Sequence, residues 1–117
     1  MTRIFVKRIY ATPAATDGCR VLVDRLWPRG LSKQKAAVDH WFKELAPSNE
    51  LRRWYGHAPD KWDEFRKRYR AELDADPSVL EPLTRLMETE KTITLLFSSR
   101  EEKLNNAVAL AEIMRNK

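Results

Sequence analysis

Arg20-Val-Leu-Val-Asp-Arg-Leu-Trp-Pro-Arg-Gly30 is the stretch whose reading decides the fold. Val21, Leu22 and Val23 are a short apolar, β-branched run, as expected of a strand covered on both faces. Asp24 and Arg25 follow with no spacer, and Trp27, Pro28, Arg29 and Gly30 then stop regular structure. A charge pair at the exit of a buried strand is costly unless it is paired or used. The stretch therefore predicts a buried strand with a candidate site at its end.

Working outward, Arg3 to Tyr10 reads as a first strand, with its core at Ile4–Arg8. Ala11 to Gly18 is a loop with a turn-forming Asp17-Gly18. The second strand covers about Cys19 to Asp24. A parallel crossover needs a dozen or more residues, and this loop is shorter. The first two strands either pair antiparallel or are joined by an unusually compact crossover. Ser32 caps a short helical turn over Lys33–Ala37, and Trp41, Lys43 and Leu45 alternate as in a short strand within Val38 to Leu45. Ser48 is a good N-cap for a helix carrying Leu51, Trp54 and Tyr55, with Gly56 past its end. Asp60 caps a helix from Lys61 to about Ala75, whose apolar stripe is Trp62, Phe65, Tyr69 and Leu73. Asp63 with Lys67 and Glu64 with Arg68 are i,i+4 pairs, and Arg66 and Arg70 lack an acidic partner in that order. A further helix lies within Ser78 to Glu88, with Pro82 in its first turn or at a kink. Thr92 to Phe97 is the last strand. Ser99 with Glu102 fits a capping box, so a final helix is expected from about Glu101 to Met114. Strand, strand, helices, strand, helix argues for a single compact α/β domain over residues 1–117. Its sheet is small and mostly parallel, about three to four strands flanked by helices.

The totals bound the function. One cysteine, Cys19, excludes an intrachain disulfide and a multi-cysteine metal site, and suits a reducing compartment. No apolar run approaches the roughly 20 residues that cross a bilayer. The opening Met-Thr-Arg-Ile-Phe-Val-Lys lacks the extended core of a signal peptide. The expected home is the cytoplasm, with no membrane partner. The net charge of +5 is uneven: residues 1–70 carry 16 basic and 8 acidic side chains, residues 71–117 carry 6 and 9. A basic half favours an anionic ligand or nucleic acid, or is simply a solvated surface.

In open α/β sheets ligands gather at the carboxyl ends of the strands. Those ends carry Lys7 and Arg8, then Asp24 and Arg25, then Ser98 and Ser99. With Trp27, Arg29, the start of the last helix beside the serines and Asn105 further along it, they make a candidate pocket for phosphate or carboxylate. Asp24 is a weak candidate for a catalytic base, or the residue that orients Arg25. In the structural alternative Asp24 pairs with Arg25 or Arg29 and only fastens the turn, and removing Arg25 would then strand a buried carboxylate. His57, in a loop after Gly56, is a weak candidate acid or base, or an ordinary helix-end histidine. His40 is weaker still, and Cys19 reads as a small core residue. Trp27-Pro28 admits a cis bond, although most such bonds are trans. No Walker loop, GxGxxG, HExxH or Gly-x-Ser-x-Gly occurs; no metal site is read from the sequence, and the cofactor, if any, is left unknown. The basic, aromatic run Trp62 to Arg70 turns its aromatics inward, which argues against a nucleic-acid surface.

Several of these blocks together resemble the YeaO-like (DUF488) family of small bacterial proteins. The resemblance rests on Asp17-Gly18 followed by the Arg20 to Gly30 stretch. Supporting blocks are Ala46-Pro47-Ser48 with Glu50-Leu51-Arg52, the pattern Trp62, Phe65, Tyr69, Glu72-Leu73, and Thr94-Leu95-Leu96-Phe97-Ser98. It covers nearly the whole chain and implies a cytosolic α/β domain, without implying a reaction. YeaO-like relatives usually read Asn-His-Ala in the last helix, and broader relatives Cys-His-Arg. This chain reads Asn105-Asn106-Ala107, and the amide at Asn106 hydrogen-bonds but does not titrate.

Overall fold

The computed structural model describes residues 2–116. Four strands form one sheet: β1 (Arg3–Arg8), β2 (Cys19–Leu22), β3 (His40–Trp41) and β4 (Thr92–Phe97). Their order is β1-β4-β2-β3, and every pairing is parallel. Five α-helices accompany them: α1 (Lys33–Ala36), α2 (Asn49–Tyr55), α3 (Trp62–Ala75), α4 (Glu81–Thr89) and α5 (Asn106–Arg115). The first two strands do not pair with each other, because β4 lies between them. Ile4 sits beside Ile93, which sits beside Cys19. The connection is therefore the unusually compact crossover: residues 9–18 carry the chain from Arg8, level with Phe97, across β4 and back to Cys19, level with Ile93.

The sheet's two faces are covered unequally. Val21, Val23, Ile93, Leu95 and Phe97 belong to the main core with Phe65 and Tyr69 of α3 and Leu110 and Met114 of α5. On the other face Leu22 and Leu96 meet only Ile9 and Ala36, flanked by Trp27, Leu31, Val38 and Trp41. Beside this small cluster stands a buried polar network. Asp17 accepts from Arg20 at 2.6 Å and Lys7 at 3.1 Å, and Arg20 also donates to the carbonyls of Ala36 and Ala37. The Thr94 hydroxyl donates to the Asp17 carbonyl at 2.7 Å. Burial alone would raise the Asp17 pKa; the Ala14 N–H, Lys7 and Arg20 outweigh it and hold the carboxyl below its ordinary value. Gly18 makes this approach possible. Its φ is +64°, and a Cβ there would lie 2.4 Å from the Thr92 carbonyl oxygen.

Several boundaries differ from the sequence reading. β1 ends at Arg8 and β2 at Leu22, although the Val23 N–H still donates to Leu96 at 3.2 Å. The stretch read as a strand over Val38 to Leu45 is a two-residue β3 followed by a 3-10 turn at Lys43–Leu45. Asp60 lies inside a 3-10 turn (Pro59–Lys61) rather than capping α3. α4 follows another 3-10 turn, with Pro82 in its first turn where no helical N–H is lost. Asp63 pairs with Arg66, which also reaches Glu112 at 3.1 Å; Arg70 approaches Asp74 at 3.9 Å, and Glu64–Arg68 forms as expected. The Trp27–Pro28 bond is trans. No helix among the described residues is long and apolar enough to cross a membrane.

The largest correction concerns α5, which starts at Asn106 rather than Glu101. Ser99 does not cap it. The Ser99 hydroxyl accepts from the Glu101 N–H two residues on, a local turn that competes with helix. Asn105 is the cap, accepting from the Val108 N–H at 3.0 Å. A helix beginning there buries Ala107, Leu110, Ala111 and Met114 on one face, whereas Glu101, Glu102 and Lys103 would offer that face nothing apolar.

Candidate functional site

The early end of β2 and the late start of α5 leave an irregular edge where the strands finish. Asp24 bolts it together. Its Oδ2 accepts from both the backbone N–H and the hydroxyl of Ser98, each at 2.8 Å. Its Oδ1 accepts from the Asn106 amide at 3.2 Å, and that amide also donates to the Val23 carbonyl. The Asp24 carbonyl accepts from the Trp41 indole at 2.8 Å. One residue thus joins the exits of β2 and β4 to the first turn of α5. The loop from Ser98 to Asn105 is tied down further. Arg8 donates to the Ser99 carbonyl, the Tyr55 hydroxyl to Leu104, and the Asn105 amide to Glu101, at 2.8–3.0 Å.

Against this braced edge lies an open cleft of about 410 Å³. Asp24, Arg25, Ser98, Ser99, Asn105 and His57 line it, so six of the residues singled out in the sequence come together. Three do not. Arg8 lies behind the loop, its guanidinium 4.7 Å from the Tyr10 ring. The Trp27 indole donates to the Leu31 carbonyl and meets Trp41 edge-on at 5.5 Å. Arg29 is exposed outside the lining, and its carbonyl accepts from the Tyr10 hydroxyl.

Arg25 does not pair with Asp24. One terminal nitrogen donates to the Ala46 carbonyl at 3.2 Å, and its Nε is buried without a hydrogen-bond partner. The cleft contains two further cations that sequence reasoning missed. Arg52 and Arg53 follow the Leu51 that anchors α2, and both are exposed. Their polar contacts run to Asn49, and neither they nor Arg25 form an ion pair among the described residues. The signal was available. Once Leu51 and Tyr55 are assigned to the core, Arg52 and Arg53 must lie on the open side of α2, near its C-terminal end.

The wall from α2 to α3 is aromatic. Tyr55 stacks on Phe65 with centroids 4.4 Å apart, and His57 leans on Tyr55 at 5.8 Å. Burial, and secondarily Glu101, push the Tyr55 hydroxyl above its ordinary pKa, consistent with a fixed donor. His57 has φ +56°, directly after Gly56 at +52°, a left-handed pair in which the histidine is strained. Cys19 is a buried core residue, its thiol pushed up to about 11 by burial, and lies outside the cleft. His40 is exposed on the edge strand β3. No group of three or more His, Cys, Asp or Glu residues among those described is arranged to hold a metal.

These features define a small parallel α/β domain with a cation-lined cleft at the carboxyl edge of its sheet. The chain belongs to the YeaO-like DUF488 family: the family model described as the inactive DUF488-N3 subclade matches residues 3–117. It is 40% identical to the uncharacterised protein YeaO of Escherichia coli K12 over 111 residues, 94% of this chain and 95% of that protein. It is also 40% identical over 116 residues to the uncharacterised proteins Rv3073c of Mycobacterium tuberculosis and Mb3100c of Mycobacterium bovis, covering 99% of this chain and 97% of each. No solved structure matches it significantly.

Proposed function

We propose that the cleft binds a small phosphate- or carboxylate-bearing molecule and does not transform it. The observation that carries this reading is the state of Arg25: a half-buried guanidinium, unpaired with any described carboxylate, whose buried Nε has an unused donor. Such a cation is costly unless an anion engages it, and its planar fork suits a bidentate oxyanion. Arg52 and Arg53 add charge to the same cleft. Ser98 has given both its donors to Asp24, so the ligand's oxygens fall to the arginines. Asp24, which accepts three hydrogen bonds, is better suited to bracing than to moving a proton. Asn106 cannot titrate. The description of the subclade as inactive agrees with binding alone. A cytoplasmic setting belongs to the same reading, since a single unpaired cysteine suits a reducing compartment. Phe65 and Tyr69 are buried, which favours a small ligand over nucleic acid.

Native mass spectrometry of freshly purified protein tests the reading. Wild type is expected to carry a small anionic adduct that Arg25→Ala lacks. Identical spectra, with no adduct in either after gentle desalting and after incubation with millimolar phosphate, pyrophosphate and citrate, would overturn it.

A further inference from the structure

We infer that the cleft selects anions whose charged group is attached directly to an aromatic ring. This rests on the anion-binding reading and adds the nature of the ligand's body. Size is the first argument. An inorganic oxyanion displaces only two or three waters' worth of volume, on the order of 100 Å³, and the cleft holds about 410 Å³. The cleft therefore has room for a ligand body beside the oxyanion.

The lining says of what kind. Phe65 and Tyr55 stack at 4.4 Å but are only 1% and 4% exposed, so the aromatic side chain that a ligand meets is the exposed His57, 5.8 Å from Tyr55. Tyr55 cannot swing away, because its hydroxyl is bonded to Leu104 at 2.8 Å. Leu26, next to Arg25 in the chain, is 68% exposed at the cleft, well above Phe5 at 47% and Tyr10 at 40%. A lone exposed leucine means nothing by itself. Here it adjoins the guanidinium proposed to hold the anion, so an aryl ring on that anion would cover it. His57 lines the same cleft, is exposed, and is held at φ +56°, where glycine would be less strained.

Isothermal titration with paired probes tests this on the full chain: phenyl phosphate against methyl phosphate, and benzoate against acetate. The pairs also tell phosphate from carboxylate as the charged group. Wild type should bind the aryl member of the preferred pair at least about tenfold tighter, ~1.4 kcal/mol. Leu26→Ser and His57→Gly should each erode that ratio and leave the methyl phosphate or acetate constant unchanged, while His57→Gly raises the melting temperature. Equal affinity within both pairs would overturn the inference and leave anion binding standing. No binding of any probe would overturn both. A ratio that survives in Leu26→Ser and His57→Gly would overturn the recognition surface named here.

Discussion

Two clusters of charge sit on one sheet and behave in opposite ways. Around Asp17, every charge has a partner: Lys7, Arg20, the Ala14 N–H and the carbonyls of Ala36 and Ala37 close the network on one face. Around Arg25, three arginines share a cleft and none meets a carboxylate among the described residues. The first cluster is what charge looks like when it holds a fold together. The second leaves its charge unpaired, as the proposed anion site requires. The carboxylate beside Arg25 does not blur the contrast, because Asp24 spends its oxygens on Ser98 and Asn106.

Substitution separates the two sharply. Arg20→Ala should destabilise the fold by about 3–5 kcal/mol, because it leaves a buried carboxylate and two buried carbonyls short of donors. A urea titration showing a loss below about 1 kcal/mol would break the comparison from the structural side. Asp24→Ala removes three hydrogen bonds from a half-buried edge and should cost about 1–3 kcal/mol. Hydrogen exchange should then rise first at Ser98 and in the opening turn of α5, and uniform acceleration across the sheet would argue against a local bolt. The pH dependence is smaller and has a defined sign. The folded-state pKa of Asp17 is lowered, so its contribution is fully present above the ordinary carboxylate value and is lost as pH falls through and below it. Stability of wild type should therefore decline through the mildly to strongly acidic range more steeply than that of Asp17→Asn. Parallel curves would remove Asp17 from the stabilising network.

Much of this was legible in the chain, and the failures have physical causes. β4 announces itself because Ile93, Leu95, Leu96 and Phe97 put apolar side chains on both faces, as a central parallel strand requires; β1, at the sheet edge, buries Ile4 and leaves Phe5 exposed. The position of β4 between β1 and β2 is not written locally, since it depends on pairings between residues as far apart in the chain as Cys19 and Ile93 or Arg3 and Thr92. Alternation at Trp41, Lys43 and Leu45 suited a strand, yet a short 3-10 turn buries Leu45 equally well, so period alone could not choose. Ser99 and Glu102 had capping-box spacing, but Asn105 is as strong a cap and starts α5 in the register that buries its alanines. At the site, placing Arg25 and Ser98 just past strand ends followed from where two apolar runs stop, whereas Asn105 was singled out through the family resemblance. Pairing Asp24 with Arg25 did not hold: both lie in the bend after β2, where the Asp24 oxygens are taken by Ser98 and Asn106 and Arg25 turns to the Ala46 carbonyl. It follows that removing Arg25 strands no carboxylate.

That last point makes Arg25 the most direct test of available charge. Thermal unfolding of wild type, Arg25→Ala and Arg25→Lys should be followed with and without a small anion, phosphate first and then phosphorylated metabolites and carboxylates. Without ligand, the three should melt within a few degrees of one another, because Arg25 gives up only one hydrogen bond to Ala46. At about ten times Kd a bound anion adds ~1.4 kcal/mol to wild type, a rise of roughly 5 °C. Arg25→Lys should blunt that rise despite keeping the charge, because lysine lacks the fork. The account is contradicted if Arg25→Ala lowers the unliganded melting temperature by 10 °C or more while no anion raises that of the wild type.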